Sequence, residues 1–274
     1  MIYKEELQQI KRAKIEVLLK DNNYPEDLAN FFRYSSVKSQ VCLLGYFSSI
    51  NNFLNWCKQE EIFENFNEIR NVKPSHVVKY LNGLIDNGYK NSTVVTIQNQ
   101  LSSFFNYLVE EDLIDKSPIL KRNKKLFQLK KKKDTTKLPK KEDLDVLSKS
   151  LNEIANVNSR VKYSAIYRFL LGSGLRESEL CGLDMNDLHL ESDYPYVEVI
   201  RKGAYSELEY ETVYISNDAC EALKEWLEIR KKIQTVSNAV FLTRDGLRIK
   251  EKNIIRIIKK YSNNTITPHM LRHL

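Results

Sequence analysis

Four cationic or titratable residues stand at structurally marked places in this 274-residue sequence. Arg176 follows the bend Gly172-Ser173-Gly174 and opens a short helical stretch. Lys202 lies beside Gly203, where a turn is expected between two strands. His269 and Arg272 come three apart behind Thr267-Pro268, a natural N-cap and first helical residue, so the helix begun there would aim both the same way. Two arginines converging on one phosphate make bidentate bonds to its non-bridging oxygens, which lysine does less well. They neutralise charge in a crowded transition state, the main task in phosphoryl transfer. A lysine on a hairpin could protonate a departing oxygen, and a histidine could exchange a proton with a nucleophile near neutral pH. Taken singly, each has an ordinary reading as a surface residue. His76 and His189 illustrate this, and neither is given a role.

Those four residues need elements to hold them. In the N-terminal half, Leu43, Phe47, Ile50, Leu54 and Cys57 step by 4, 3, 4, 3 and mark one buried helical face. Ser75 is expected to cap a helix that stops at Asn87-Gly88, and Ser92 to start another with Val94, Ile97, Leu101, Phe104 and Leu108 inward. A weaker period over residues 4–19 suggests one more helix. After residue 138 the chain is helical again through Leu144, Leu147, Leu151 and Ile154, and an apolar helix runs into Gly172. Residues 196–215 change character, with β-branched and aromatic residues flanking Gly203 as in a hairpin. Ser216 or Asn217 then caps a helix with Cys220, Leu223 and Leu227. "VFLTRDGL" supplies an extended piece and a turn, and "NIIRIIKKY" a further helix. The fold expected is mainly α, a helical bundle followed by a mainly helical domain with one small antiparallel sheet.

The net charge is +7. Residues 121–133, "KRNKKLFQLKKKK", hold eight Lys or Arg and no acid, and 7 − 8 = −1 leaves the rest nearly neutral. Such a run is either a solvated linker or a contact to a polyanion, since Lys and Arg on phosphates release counterions. It separates a domain over 36–120, preceded by an N-terminal extension of residues 1–35, from a second domain over 138–274, with the basic linker at 121–137. No signal peptide is read at the charged N-terminus, and no apolar run approaches the roughly 20 residues that cross a membrane. The four cysteines (Cys42, Cys57, Cys181, Cys220) form no CxxC, so reduced, mostly buried thiols in a cytoplasmic protein are expected, with no zinc site. P-loop and GxGxxG patterns are absent.

"LLGSGLRESELCGL" resembles the first signature box of the tyrosine recombinase (phage integrase) family, and "TPHMLRH" the opening of its second. The upstream half, "YFSSINNFLNWCKQE" and "KPSHVVKYLNGLIDNGYKNSTVVTIQNQLSSFFNYLVEEDLIDKSP", is similar to that family's helical, SAM-like core-binding domain. The likeness covers about residues 36–274. It implies that Arg176 and Arg272 form the phosphate clamp, that His269 is the histidine of the His-x-x-Arg motif, and that Lys202 protonates the leaving 5′-oxygen. Arg201 is adjacent and a one-residue slip of the hairpin would exchange them. Glu179 matches the acidic residue that supports an arginine. The resemblance further implies cleavage and rejoining of double-stranded DNA through a 3′-phosphotyrosine without cofactor or metal, by a homo-oligomer, a tetramer, on DNA. Lys130, Lys131, Lys132 and Lys133 would contact the duplex. Family members carry the nucleophilic tyrosine a few tens of residues beyond the second arginine, whereas all 15 tyrosines here precede His269. The sequence is therefore read as truncated before the nucleophile. Tyr261 is assigned to a helix surface or core. A DNA-binding decoy or regulator at recombination sites is the alternative, and a type IB topoisomerase-like enzyme a third reading.

Overall fold

Residues 3–34, 40–120, 138–200 and 210–274 are described in the computed structural model. The chain divides into two compact units, Met1–Asp134 and Thr135–Leu274.

In the first unit five helices surround one core: α1 (Tyr3–Asp21), α2 (Glu26–Tyr34), α3 (Gln40–Gln59), α4 (Pro74–Asp86) and α5 (Asn91–Glu110). Helix α3 lies against α1, α4 and α5. Its expected inner face is buried throughout, Leu43, Phe47, Ile50, Leu54 and Cys57 alike. Residues 1–35, set apart in the sequence as an extension, supply Ile15, Leu19, Leu28, Phe31 and Phe32 to the same core. The Phe31 ring meets Phe104 of α5 edge to face, centroids 5.3 Å apart. Arg33 further ties α2 to α1 through Glu16, Nε to Oε1 at 3.0 Å.

Two helix starts differ from expectation. Helix α4 begins at Pro74 rather than behind a Ser75 cap, because proline's fixed φ suits the first helical position. The backbone N–H of Lys73 is taken up by His76 Nδ1 at 3.2 Å, which gives that histidine a structural role. Helix α5 begins at Asn91, one residue before Ser92, and α4 stops as expected, with Gly88 at φ +82°.

The second unit contains α6 (Lys141–Asn152), α7 (Val157–Ser173), α8 (Glu177–Gly182), α9 (Asn217–Arg230), α10 (Glu251–Tyr261) and α11 (Pro268–Leu271). Helix α7 is central and packs against α6, α9, α10 and α11. Its Phe169 meets Phe241, and Phe241 stacks in parallel with the buried Trp226 of α9. Three antiparallel strands, β1 (Leu188–His189), β2 (Tyr196–Ile200) and β3 (Tyr210–Tyr214), lie in that order. Tyr196 pairs with Tyr214 and Ile200 with Tyr210, while Val197, Val199 and Val213 turn inward. The hairpin was expected; β1, two residues long, was not.

The exit of this sheet is fastened to α7. The Ser216 N–H donates to the Gly172 carbonyl at 3.1 Å, and Ser216 Oγ caps α9 by accepting from Ala219 N at 3.2 Å. The helices approach so closely that a Cβ on Gly172 would fall 2.2 Å from Ser216 Oγ, so any side chain there would force its neighbours to shift. Among the described residues no helix is long and apolar enough to cross a membrane.

Candidate phosphate-clamp site

Helix α7 ends at Gly174, whose φ of +62° and ψ of +18° are left-handed. That reversal, with Leu175 buried behind it, delivers Arg176 to the N-cap of α8 in an extended conformation (φ −75°, ψ 154°). Glu179, three residues on, reaches back as the carboxylate of a capping arrangement. Its Oε2 accepts from the Arg176 backbone N–H at 2.9 Å, and its Oε1 from Arg176 Nη1 at 2.8 Å.

The other arginine arrives from far along the chain. Between α10 and α11 the left-handed residues Asn263 and Asn264 reverse the backbone, and Ser262, fully buried, accepts from Ile266 N through its Oγ at 3.1 Å. Pro268 and Leu271 are buried and seat α11. Arg272 at its C-terminal end extends Nη1 to 3.4 Å from Glu179 Oε2. Two guanidiniums therefore share one carboxylate. The Glu179 side chain is 2% exposed, whereas Arg176 and Arg272 keep 35% and 24% of theirs in solvent. The buried anion holds two cations that each keep part of their side chain in solvent, where a second anion could reach them. A single carboxylate compensates one of two charges, and a phosphate would compensate the other.

Among the described residues, the other expected ones are not gathered in the same way. Thr267 occupies the N-cap of α11 by backbone position, but its side chain makes no capping bond. His269 is exposed, and its ring pairs with His273, Nε2 to Nε2 at 3.1 Å, edge to face. Such a bond needs one protonated and one bare nitrogen. His273 was missed in the sequence, although its separation of four from His269 is the spacing of helical neighbours. Lys202, with Arg201, lies outside the described residues, as do Lys130, Lys131, Lys132 and Lys133. Tyr261 ends α10, half-buried, with its ring 6.0 Å from that of Tyr163. His189 stacks on Tyr196 at 4.4 Å, a packing role.

A second basic feature emerges from helical spacing. Lys252, Arg256, Lys259 and Lys260 of α10 are exposed, at offsets 0, 4, 7 and 8, which place them along one face. Net charge singles out residues 121–133 and not this helix, because acids elsewhere cancel its cations in the sum. Among the described residues no group of three or more His, Cys, Asp or Glu side chains is placed to hold a metal ion.

Comparison with known proteins gives this geometry a family. The profile described as "Phage integrase family" matches residues 141–274, and that described as "Phage integrase, N-terminal SAM-like domain" matches residues 28–115. The chain belongs to the tyrosine recombinase (phage integrase) family. Among curated relatives, a Tyrosine recombinase XerC from Thermodesulfovibrio yellowstonii is 28% identical over 91% of this chain and 80% of its own length. The Tyrosine recombinase XerC of Escherichia coli O157:H7 (strain EC4115 / EHEC) is also 28% identical, over 90% of this chain and 80% of its own. Solved structures agree in fold. The Tn1549 transposon integrase in complex with transposon right end DNA superposes with a TM-score of 0.66 at 20% identity, covering 90% of this chain and 83% of that one. The XerH site-specific recombinase bound to difH substrate gives 0.63 at 20% identity, over 85% and 68%. Site-specific DNA recombination is thus the class of function of this tyrosine recombinase family member, and the mainly α fold with its SAM-like N-terminal domain is that of the family.

Proposed function

We propose that this chain binds double-stranded DNA and holds a scissile phosphate between Arg176 and Arg272, for cleavage and rejoining through a 3′-phosphotyrosine. In the forward step a tyrosine oxygen bonds to phosphorus and the 5′-oxygen leaves with its electron pair, taking a proton from Lys202. His269 exchanges a proton with the nucleophile, and Glu179 orients the two arginines. Each step exchanges one phosphoester for another, so bond energy is conserved and no cofactor is called for. The observation that carries this reading is the pair of partly exposed guanidiniums on one buried carboxylate.

DNA binding is supported by the basic segment at 121–133 and the cationic face of α10, since phosphate contacts supply most sequence-independent affinity. Domains over 36–120 and 138–274 with a basic linker at 121–137 are part of the proposal, and residues 1–35 are joined to the first domain because they share its core. A homo-oligomer on DNA, a tetramer, is the assembly proposed.

None of the 15 tyrosines, all of which precede His269, is assigned as the nucleophile. The 274 residues by themselves are accordingly given DNA binding without strand cleavage, and a decoy or regulator at recombination sites is the second reading. A nicked suicide duplex tests both. The 274-residue chain should shift the duplex but form no covalent adduct. A form in which a tyrosine is supplied after Arg272 should form one, and Arg176→Ala or Arg272→Ala should then lower cleavage by at least about a hundred-fold with DNA affinity nearly unchanged. An adduct formed by the 274 residues alone would overturn the assignment, and mapping it would identify the tyrosine.

A further inference from the structure

The clamp geometry depends on how α8 is held, and α8 is short. Six residues give a helix too few internal bonds to persist alone, and its last carbonyls lack helical partners. At the N-terminal end the Glu179 bonds to Arg176 supply closure. At the other end a third arginine does so. Arg248 Nη1 donates to the Cys181 carbonyl at 3.0 Å and to the Leu183 carbonyl at 3.2 Å, and its Nη2 contacts the Asp184 carboxylate. Its side chain is 16% exposed, so these bonds are shielded from water.

Arg248 is itself firmly placed. It pairs with Leu242 in an isolated bridge across the turn at Gly246, and the next residue, Ile249, donates to the Phe241 carbonyl at 3.0 Å. Helix α10 follows directly and packs against both α8 and α11. One guanidinium therefore joins the end of the Arg176 helix to the segment that leads toward the Arg272 helix. Cationic charge at a helix C-terminus is favoured by the helix dipole, and the planar fork meets two carbonyls and a carboxylate at once.

We propose that Arg248 is a positioning residue of the clamp: by fixing the C-terminal end of α8 it sets where Glu179 presents its two oxygens to Arg176 and Arg272. This rests on the phosphate-clamp reading of the site. Arg248 touches no reacting atom and acts through α8.

Inorganic phosphate titrated into the 274-residue chain, followed through the Nε–H signals of Arg176 and Arg272, tests it. Arg248→Met should raise the Kd for phosphate by about ten-fold, and Arg248→Lys, which keeps the charge and loses the fork, by about three-fold or more. Arg248→Lys decides the matter if Arg248→Met does not fold. Asn156→Ala, which removes the side chain that caps the far end of α7 by accepting from Ser159 N, controls for stability alone. It should leave phosphate affinity within about two-fold while lowering the melting temperature. Phosphate affinity within two-fold of wild type in the folded Arg248 variants would overturn the proposal, as would an equal loss in Asn156→Ala. Equal phosphate affinity in the wild type and Arg176→Ala would instead defeat the clamp reading beneath it.

Discussion

Arg272 and Glu179 are 93 positions apart in the chain, and their side chains meet at 3.4 Å, Nη1 to Oε2. The same carboxylate holds Arg176, so one buried acid sets the separation of two cations. Whatever anion approaches them meets donors already oriented, and pays little ordering entropy.

Glu179→Gln should therefore be costly although it preserves shape. The amide cannot balance either guanidinium and turns a donor toward them. Because both arginines are partly solvated, the expected loss is about 1–3 kcal/mol rather than the full cost of a buried orphan charge. Urea unfolding of the 274-residue chain measures it, and a change below a few tenths would show that the carboxylate does not hold the arginines.

Gly172→Ala probes the joint between α7 and the end of the sheet. The new methyl would meet Ser216 Oγ at 2.2 Å and Ala219 Cβ at 2.9 Å. Overpacking of this kind costs about 1–3 kcal/mol. Adding Ser216→Gly removes the nearer clash and leaves an acceptable N-cap. The double variant should regain part of the lost stability, and no recovery would place the strain elsewhere.

Two sets of cations should contribute separately to DNA affinity. Replacing Lys130, Lys131, Lys132 and Lys133 with alanine should reduce the slope of log affinity against log salt by roughly 3 to 4, and replacing Lys252, Arg256 and Lys259 by roughly 2 to 3. Both losses should be nearly independent of DNA sequence. A set that leaves the slope unchanged faces solvent.

The thiols give a pH-dependent expectation. Burial, with the nearby Glu60 carboxylate adding to it, pushes Cys57 up to about 12, and burial raises Cys181 and Cys220 as well. A raised acid is neutral in the folded state and ionises more easily once unfolded, so its stabilisation is complete below the unfolded value and fades as pH rises toward the folded one. Unfolding free energy should fall between about pH 9 and pH 12. At pH 8 a thiol reagent should label exposed Cys42 rapidly and the other three only on unfolding.

What could be read from the sequence was local. The 4-3-4-3 spacing of Leu43 to Cys57 identified α3 because every member is buried. Helix α1 was faint because Ile10 and Val17 are exposed, 63% and 57%, and blur the stripe that Ile15 and Leu19 make. Strand β1 is too short to show alternation, and it exists because β2 offers an edge beside it. Arg176 is legible as a helix start, but nothing local names Glu179 or Arg272; resemblance supplies both, and tertiary packing brings Arg272 there. His273 and the cationic face of α10 were visible as spacings and passed over. Arg248 had no local signal, since the carbonyls at the end of α8 and the carboxylate that its guanidinium meets lie 64 to 67 residues away.

The chain has two tryptophans, and each unit holds one. Trp56 is partly buried, against Phe53 and Tyr80, while Trp226 is 1% exposed, parallel to Phe241, with its N–H on the Val240 carbonyl at 2.9 Å. The molecule thus carries a separate optical reporter for each half. Emission from a Trp56→Phe variant would follow only the unit that holds the arginines, and emission from Trp226→Phe only the helical bundle, so the order in which the two halves melt can be read without any added label.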